Sequence, residues 1–593
     1  MHGRVKVKTS AQEQEEKRKE RERKLNIYRT SYDTVCEKRK LGEYDEDLLR
    51  VTEQLLCGNP DVSTLWNVRR EAFNVARETK TPEECEDMLK GELRLIEAAL
   101  RSNPKSYGAW HHRMWVMESM KTPPVSQDLM LCGKLLSMDA RNFHCWDYRR
   151  WLSINLASGN KNKVELDFSF DKLAENFSNY SAWHYRTIFL PAVHPDESAP
   201  CSITPEQHKK ELELVQNAVF TDPADQSAWF YLWWLLRKGN QSKPKLVVGV
   251  LQCKERRIVS ASLALSKAEK PNGDLSAELR IRDNVVQGHW ECPGSLKHSH
   301  VWVFVPHVEE GNISPELDSM TEEELDRSII LKEGDKVMDV LQLVRRESLE
   351  EGHDFEEWVG QREDAVELSW LESGGNLGKG LSTSLLEDQL ELCRLLLDLE
   401  PDSKWTLLTS VQLLRTLKKR DWGPNKDLYH TKMIEYLLKL KKIDPLRSGF
   451  YSDLYSDCVL DAALDSERVK SSFLDLSSLS LTTLPSPTVP LPIPFLLATK
   501  IDLSGNPCLS LPSVRPGTLA CLAHLLRLTH LRIGADFSKL VSSNSLPGII
   551  PRLPRLLNLE LIPNTTESAV LIPQDILTAL KELFPALQQI KPV

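Results

Sequence analysis

The sequence predicts a mainly α protein: an α-solenoid of helical hairpins interrupted by a β-sandwich insert and closed by leucine-rich repeats. Three observations carry that expectation. Five tryptophans recur at hairpin-like intervals in the first 240 residues, short β-rich runs follow from about 245, and Leu-x-Leu cores take over near 470. At 593 residues the chain is too long for one hydrophobic core. The expected boundaries are 1–244 and 371–465 for the helical repeats, 245–370 for the insert and 466–593 for the tail.

The helical part rests on segments that align on Trp66, Trp110, Trp146, Trp183 and Trp229: NPDVSTLWNVRR, NPKSYGAWHHR, DARNFHCWDYR, NFSNYSAWHYR and DPADQSAWFYL. The steps of 44, 36, 37 and 46 residues suit one helical hairpin per repeat. Four residues before each Trp stand Val62, Ser106, Asn142, Asn179 and Asp225. The last four are preferred N-caps, worth about 1 kcal/mol each, so a helix should start just after that position. Seven residues before each Trp stands Asn59, Asn103, Asp139, Asn176 or Asp222, expected to close the preceding helix in a left-handed conformation. Tyr107, Trp110, His111 and Met114 fall at i, i+3, i+4 and i+7, which predicts that they share one helix face. Arg69, Arg113, Arg149 and Arg186 follow their Trp by three residues, and Leu232 replaces the Arg in the fifth copy. Both columns read as structural. Two blurred copies lie around Trp405 and Asp444.

RIVSASLALS and DLSAELRIR flank a KAEKPNG turn, and HVWVFVPHV and AVELSWLE follow. The first two read as a hairpin about Asn272-Gly273, within an Ig-like β-sandwich. The acidic TEEELDR and DFEEWVGQREDAVE stretches read as solvated. In the tail, Asp475, Asp502, Arg532 and Glu560 sit at the centres of Leu-x-Leu cores 27, 30 and 28 residues apart, and Asn506 supplies one turn asparagine.

Charge and cysteine usage narrow the function classes. With 76 basic and 85 acidic side chains the net charge is −9, which argues against a nucleic-acid partner. No apolar run reaches a membrane span. The N-terminal MHGRVKVKTSAQEQEEKRKERERK lacks the apolar core of a secretory signal, and its Glu13/Lys17, Glu15/Lys19 and Glu20/Lys24 spacings read as a solvated helix. Twelve cysteines with no CxxC read as reduced thiols, so a cytoplasmic location is expected. His289, Cys292, His298 and His300 match no standard zinc spacing. GGNLGKGLSTS at 374–384 fails as a phosphate loop because Ser373 and Gly380 stand where Gly and Ser/Thr belong.

The P-x-x-Y-x-x-W-x-x-R pattern, as in NPKSYGAWHHR, resembles the repeats of protein prenyltransferase α subunits. With the insert and the leucine-rich tail, the chain resembles the α subunits of Rab geranylgeranyltransferases, as found in animals. The resemblance implies a crescent of hairpins around a separate β subunit. It also implies transfer of a C20 group from geranylgeranyl diphosphate to C-terminal cysteines of Rab GTPases presented by an escort protein. Zinc and the isoprenoid pocket then belong to the β subunit, and this chain holds no metal. Lys105 and Tyr107 match the motif that supplies a cation and a hydroxyl to the leaving diphosphate. Asn142 and His144 take the inward positions of the next repeat, and His2 on the N-terminal tail is a further candidate toward a partner's metal. Two alternatives remain. A tetratricopeptide-like scaffold has a period of about 34 and a different Trp signature. The α subunit of another protein prenyltransferase would lack the insert and tail. Because those smaller relatives lack them, both accessory parts are expected to be dispensable for the chemical step.

Overall fold

The computed structural model describes residues 11–196, 203–237, 244–307, 326–346, 356–361, 381–420, 425–536, 549–563 and 574–592, with short gaps inside some of these stretches. Two compact units result. The first runs to Asp196 and adds Ile203–Ala218 and Asp225–Tyr231; the second takes Val219–Ala224 and the described chain from Leu232 on. His2, AVELSWLE, most of the acidic stretches and most of GGNLGKGLSTS lie outside the described residues.

The first unit opens with the long helix α1 (Ala11–Leu41). Of its expected i,i+4 pairs, Glu20–Lys24 forms at 3.3 Å, while Glu15 pairs with Arg18 instead. Hairpins follow: α2 (Glu46–Gly58) with α3 (Ser63–Thr79), α4 (Pro82–Ser102) with α5 (Tyr107–Ser119), α6 (Val125–Met138) with α7 (Phe143–Asn155), and α8 (Lys161–Glu175) with α9 (Tyr180–Val193). Helices α10 (Pro205–Thr221) and α11 (Gln226–Arg237) make the fifth pair. Each Trp-bearing helix starts one residue after the expected cap position. Ser106, Asn142 and Asn179 accept the N–H of Ala109, Cys145 and Ala182, and Val62 makes no side-chain cap.

The Asn/Asp column works differently from expectation. Asn59, Asn103 and Asp139 do close their helices, but in extended backbone (φ −144°, −139° and −138°), not left-handed. Their side chains explain the residue type. In all five repeats the column's Oδ1 accepts the backbone N–H two residues on, at 2.9–3.2 Å. An Asx turn therefore sets the hairpin, and it needs an oxygen on a short side chain. The Trp pins the same turn: Trp66, Trp110, Trp146 and Trp183 donate Nε1–H to the carbonyl six residues back.

The Arg column builds a buried polar ladder. Arg69, Arg113, Arg149 and Arg186 pair with Glu92, Asp128, Glu165 and Glu211 at 2.6–2.7 Å. Each of those carboxylates, in the hairpin after its Arg, also binds an aromatic of its own hairpin 20 residues on: His112, Tyr148, Tyr185 and Tyr231 respectively. Because every carboxylate has both a cation and a second donor, the buried charge is compensated. One face assignment is corrected here. The buried face of α5 is Ala109, Trp110, His112, Arg113, Val116 and Met117, whereas Tyr107 and His111 are exposed. Trp110 packs on Tyr148, not on Tyr107.

In the second unit, nine strands form one curled antiparallel sheet: β1 (Leu246–Lys254), β2 (Arg257–Glu269), β3 (Leu275–Ile281), β4 (Asn284–Val285), β5 (Gly288–Glu291), β6 (Ser299–Pro306), β7 (Arg327–Glu333), β8 (Lys336–Arg346) and β9 (Glu356–Gln361). Their order is β4-β3-β7-β8-β9-β1-β2-β6-β5. The two ends share a core that includes Trp302, Leu263, Ile329 and Leu331. β2 pairs with β1 and β6, and β3 with β4 and β7, so the KAEKPNG turn carries the chain between distant strands and no hairpin forms there.

Helices resume with α12 (Thr383–Leu399), α13 (Lys404–Arg420), α14 (Lys426–Ile443) and α15 (Ser448–Leu464). Trp233, in the last turns of α11, meets Trp405 edge-on at 5.9 Å and donates to Thr409 at 2.8 Å. The tail is a sheet whose first strand, β10 (Val469–Lys470), is antiparallel to β11 (Phe473–Asp475). Parallel strands β12 (Lys500–Asp502), β13 (His530–Ala535), β14 (Asn558–Pro563) and β15 (Gln589–Pro592) continue it. Leu474, Ile501, Leu531, Leu559 and Ile590 stand in register. Buried Asn506 accepts the N–H of Leu479 and Leu481 and donates to the carbonyls of Leu476 and Leu503, which satisfies two successive turns. Insert and tail share a core. Val247, Val248, Val250 and Val301 join the tail leucines in one cluster, and the nearly buried Arg527 pairs with Glu357.

Candidate functional site

The candidate residues meet at the turn between α4 and α5. Lys105 follows Pro104 in the Asx turn, its N–H held by Asn103 Oδ1 at 3.1 Å. Its side chain is 62% exposed, and its Nζ lies 3.1 Å from Asp139 Oδ2 in the next hairpin. Tyr107 is the first residue of α5 and is 71% exposed. Its ring meets the His144 ring edge-on at 4.3 Å. His144, 8% exposed, is also covered by the Phe143 ring. Burial lowers the His144 pKa; Asp147 opposes this and the nearby Lys105 cation adds to it.

Asn142 has another place. It is 1% exposed, caps α7, and donates Nδ2–H to the Pro104 carbonyl at 2.9 Å. It fastens the turn that presents Lys105 and offers little surface of its own. Lys105 and Tyr107 therefore share an exposed edge, with His144 buried against the Tyr107 ring and Asn142 behind the turn. An accessible ammonium and a phenol hydroxyl at the entrance of a helix can stabilise an anion. The aromatic surface continues along the hairpins: Phe143 and Tyr180 are exposed at the next two Trp-helix starts, and Tyr180 meets the exposed Phe230, one turn into α11, edge-on.

Sequence reasoning missed Asp139 as a partner of Lys105, and it missed the four ladder carboxylates. The ladder had a signal: His112, Tyr148, Tyr185 and Tyr231 each stand two residues after their Trp, and an acid stands 20 residues before each of them. Asp139 had none, since its pairing is lateral, between repeats.

The β-insert candidates do not assemble. His289 pairs with Glu291, His298 is exposed and lies just before β6, and His300 is buried on it. Among the described residues no group of three or more His, Cys, Asp or Glu side chains is arranged to hold a metal ion. No helix among them is long and apolar enough to cross a membrane.

Hairpins pinned by Trp and Asx turns, with an Arg–carboxylate ladder between them, define a class. The family model "Protein prenyltransferase alpha subunit repeat" matches residues 89–120, 125–156, 163–192 and 208–239. The pig protein named geranylgeranyl transferase type-2 subunit alpha is 36% identical over 97% of this chain and 93% of its own length. The human protein of that name is 36% identical over 88% and 86%. The budding yeast one is 35% identical over 36% of this chain and 65% of its own. The chain belongs to the geranylgeranyl transferase type-2 alpha subunits.

Proposed function

We propose that this chain is the α subunit of a heterodimeric Rab geranylgeranyltransferase. In this reading the complex moves the C20 group from geranylgeranyl diphosphate to C-terminal cysteines of Rab GTPases presented by an escort protein. A sulfur–carbon bond forms, the allylic carbon–oxygen bond breaks, and diphosphate leaves with the electron pair. A zinc ion held by the β subunit would lower the acceptor thiol's pKa and so favour the nucleophilic thiolate. What this chain adds is electrostatic. Negative charge grows on the departing diphosphate, and the Lys105 ammonium and Tyr107 hydroxyl stabilise it more in the transition state than in the bound substrate.

The observation that carries the reading is the exposed edge itself. In a member of this family, NPKSY places the ammonium of Lys105 and the ring of Tyr107 in the open, on a turn fixed by Asn103 and Asn142. The exposed aromatic row beside that edge supports a partner surface, because clustered exposed aromatics mark interfaces. The test is to co-purify the chain with candidate β subunits and follow transfer of labelled geranylgeranyl diphosphate to a Rab, with and without escort. The expected result is a stable heterodimer active only with escort, and no transfer by the single chain. A heterodimer that transfers nothing to escorted Rab, or a chain that pairs with no β subunit, overturns the reading.

A further inference from the structure

The Asx turn that ends α6 needs an oxygen acceptor at position 139, and Asp139 Oδ1 fills that need by accepting the Arg141 N–H at 3.1 Å. Asn59, Asn103 and Asn176 do the same in their own repeats with a neutral amide. The turn therefore does not require a charge. Asp139 nonetheless carries one, and its second oxygen, Oδ2, lies 3.1 Å from Lys105 Nζ across the gap between two hairpins. Asp222 also puts an acid at this turn in the fifth repeat, so what sets Asp139 apart is this contact with Lys105; an exposed ion pair of this kind adds little to stability.

We propose that Asp139 is a positioning residue for Lys105, holding its ammonium at the edge where the diphosphate leaves. This rests on the reading of Lys105 given above. A lysine stem of four carbons is flexible, and a free ammonium would spread over many rotamers. One carboxylate oxygen is locked by the turn, so the other is a fixed anchor on a rigid part of the next repeat. The anchor takes one ammonium donor and leaves the others for phosphate oxygens. The same carboxylate also repels the anionic substrate. Its removal should therefore slow the chemical step without weakening substrate binding, a split that a folding defect would not produce.

The experiment uses the αβ complex with escorted Rab and compares Asp139→Asn, Lys105→Ala and the double variant Asp139→Asn/Lys105→Ala. Asn keeps the turn acceptor, as three sibling repeats show, so the complex should melt at the wild-type temperature. Single-turnover transfer by Asp139→Asn should fall about tenfold, the scale typical of losing a group that orients another. The KM for geranylgeranyl diphosphate should stay level or fall. The double variant should be no slower than Lys105→Ala alone. Wild-type transfer by Asp139→Asn beside a slow Lys105→Ala overturns the positioning role and leaves the reading of Lys105 standing. So does a raised KM with an unchanged rate, or losses that multiply in the double variant. A wild-type rate for Lys105→Ala overturns both.

Discussion

Lys105 and Tyr107 sit side by side, but they stand to lose different amounts. Lys105→Ala deletes a charge and should slow single-turnover transfer by about a hundredfold, the lower end of what removing one preorganised donor costs. Tyr107→Phe keeps the ring against His144 and deletes only the hydroxyl, so its loss should be smaller. Neither should shift the melting temperature, since both side chains are exposed. Transfer at the normal rate by an intact Lys105→Ala heterodimer would make the residue an ordinary surface lysine. A second residue, Glu92, carries a pH signature. Burial pushes its pKa up, but hydrogen bonds from His112 and Arg69 outweigh this and bring it from 4.5 down to about 2. The folded pKa lies below the unfolded one, so Glu92 stabilises the fold above pH 4.5 and loses that contribution as pH falls toward 2. Melting curves of wild type and Glu92→Gln should differ by a constant gap above pH 5 that narrows below 4.5. A gap independent of pH would show that the Glu92 charge does not matter.

At the level of the element, hairpins are tied to one another at single points. Gly108 in α5 is one such point. A Cβ there would meet Trp66 Cδ1 at 2.8 Å and the Pro60 carbonyl at 3.2 Å. Alanine is the better helix former by about 1 kcal/mol, yet Gly108→Ala should destabilise by about 1–3 kcal/mol because a pinned indole cannot yield. Thermal or urea melting of the chain with its β subunit decides it, and a rise in stability would mean that the hairpins are not in contact there. Caps and helix starts were legible from four or five residues of sequence because capping is local chemistry. The expected left-handed ends and the Tyr107–Trp110 face were not met. Asn and Asp serve left-handed backbone and Asx turns equally well, and the buried face was decided by the neighbouring hairpin.

Across the whole second unit, the insert and the tail are one folding problem. Deleting 245–370 alone would uncover the tail residues that pack on Val247, Val248, Val250 and Val301, and would leave buried Arg527 without Glu357. That variant should aggregate or be cut in the tail. Removing insert and tail together should leave prenyl transfer measurable, since Lys105 and Tyr107 lie outside both. Arg527→Ala in the full chain should cost about 3–5 kcal/mol, the scale of breaking a buried pair. Limited proteolysis reads all three variants. An insert-deleted chain whose tail resists protease as well as wild type would contradict the shared core.

The sequence by itself determined the hairpin period, the helix starts, the β character of the insert and the Leu-x-Leu spacing, and through the NPKSY motif it determined where to look for chemistry. These are short-range patterns: a capping oxygen, a period of 2 or 3.6, or a repeat length can be read along the chain. Only the tertiary structure decided which carboxylate meets each repeat arginine, that β2 and β3 part company at a turn that looked like a hairpin, that Asp139 reaches Lys105, and that the insert shares its core with the tail. Those pairings join residues from 15 positions apart, as in Arg113 and Asp128, to 170, as in Glu357 and Arg527. Burial and shape select them, and burial exists only once the whole chain has packed.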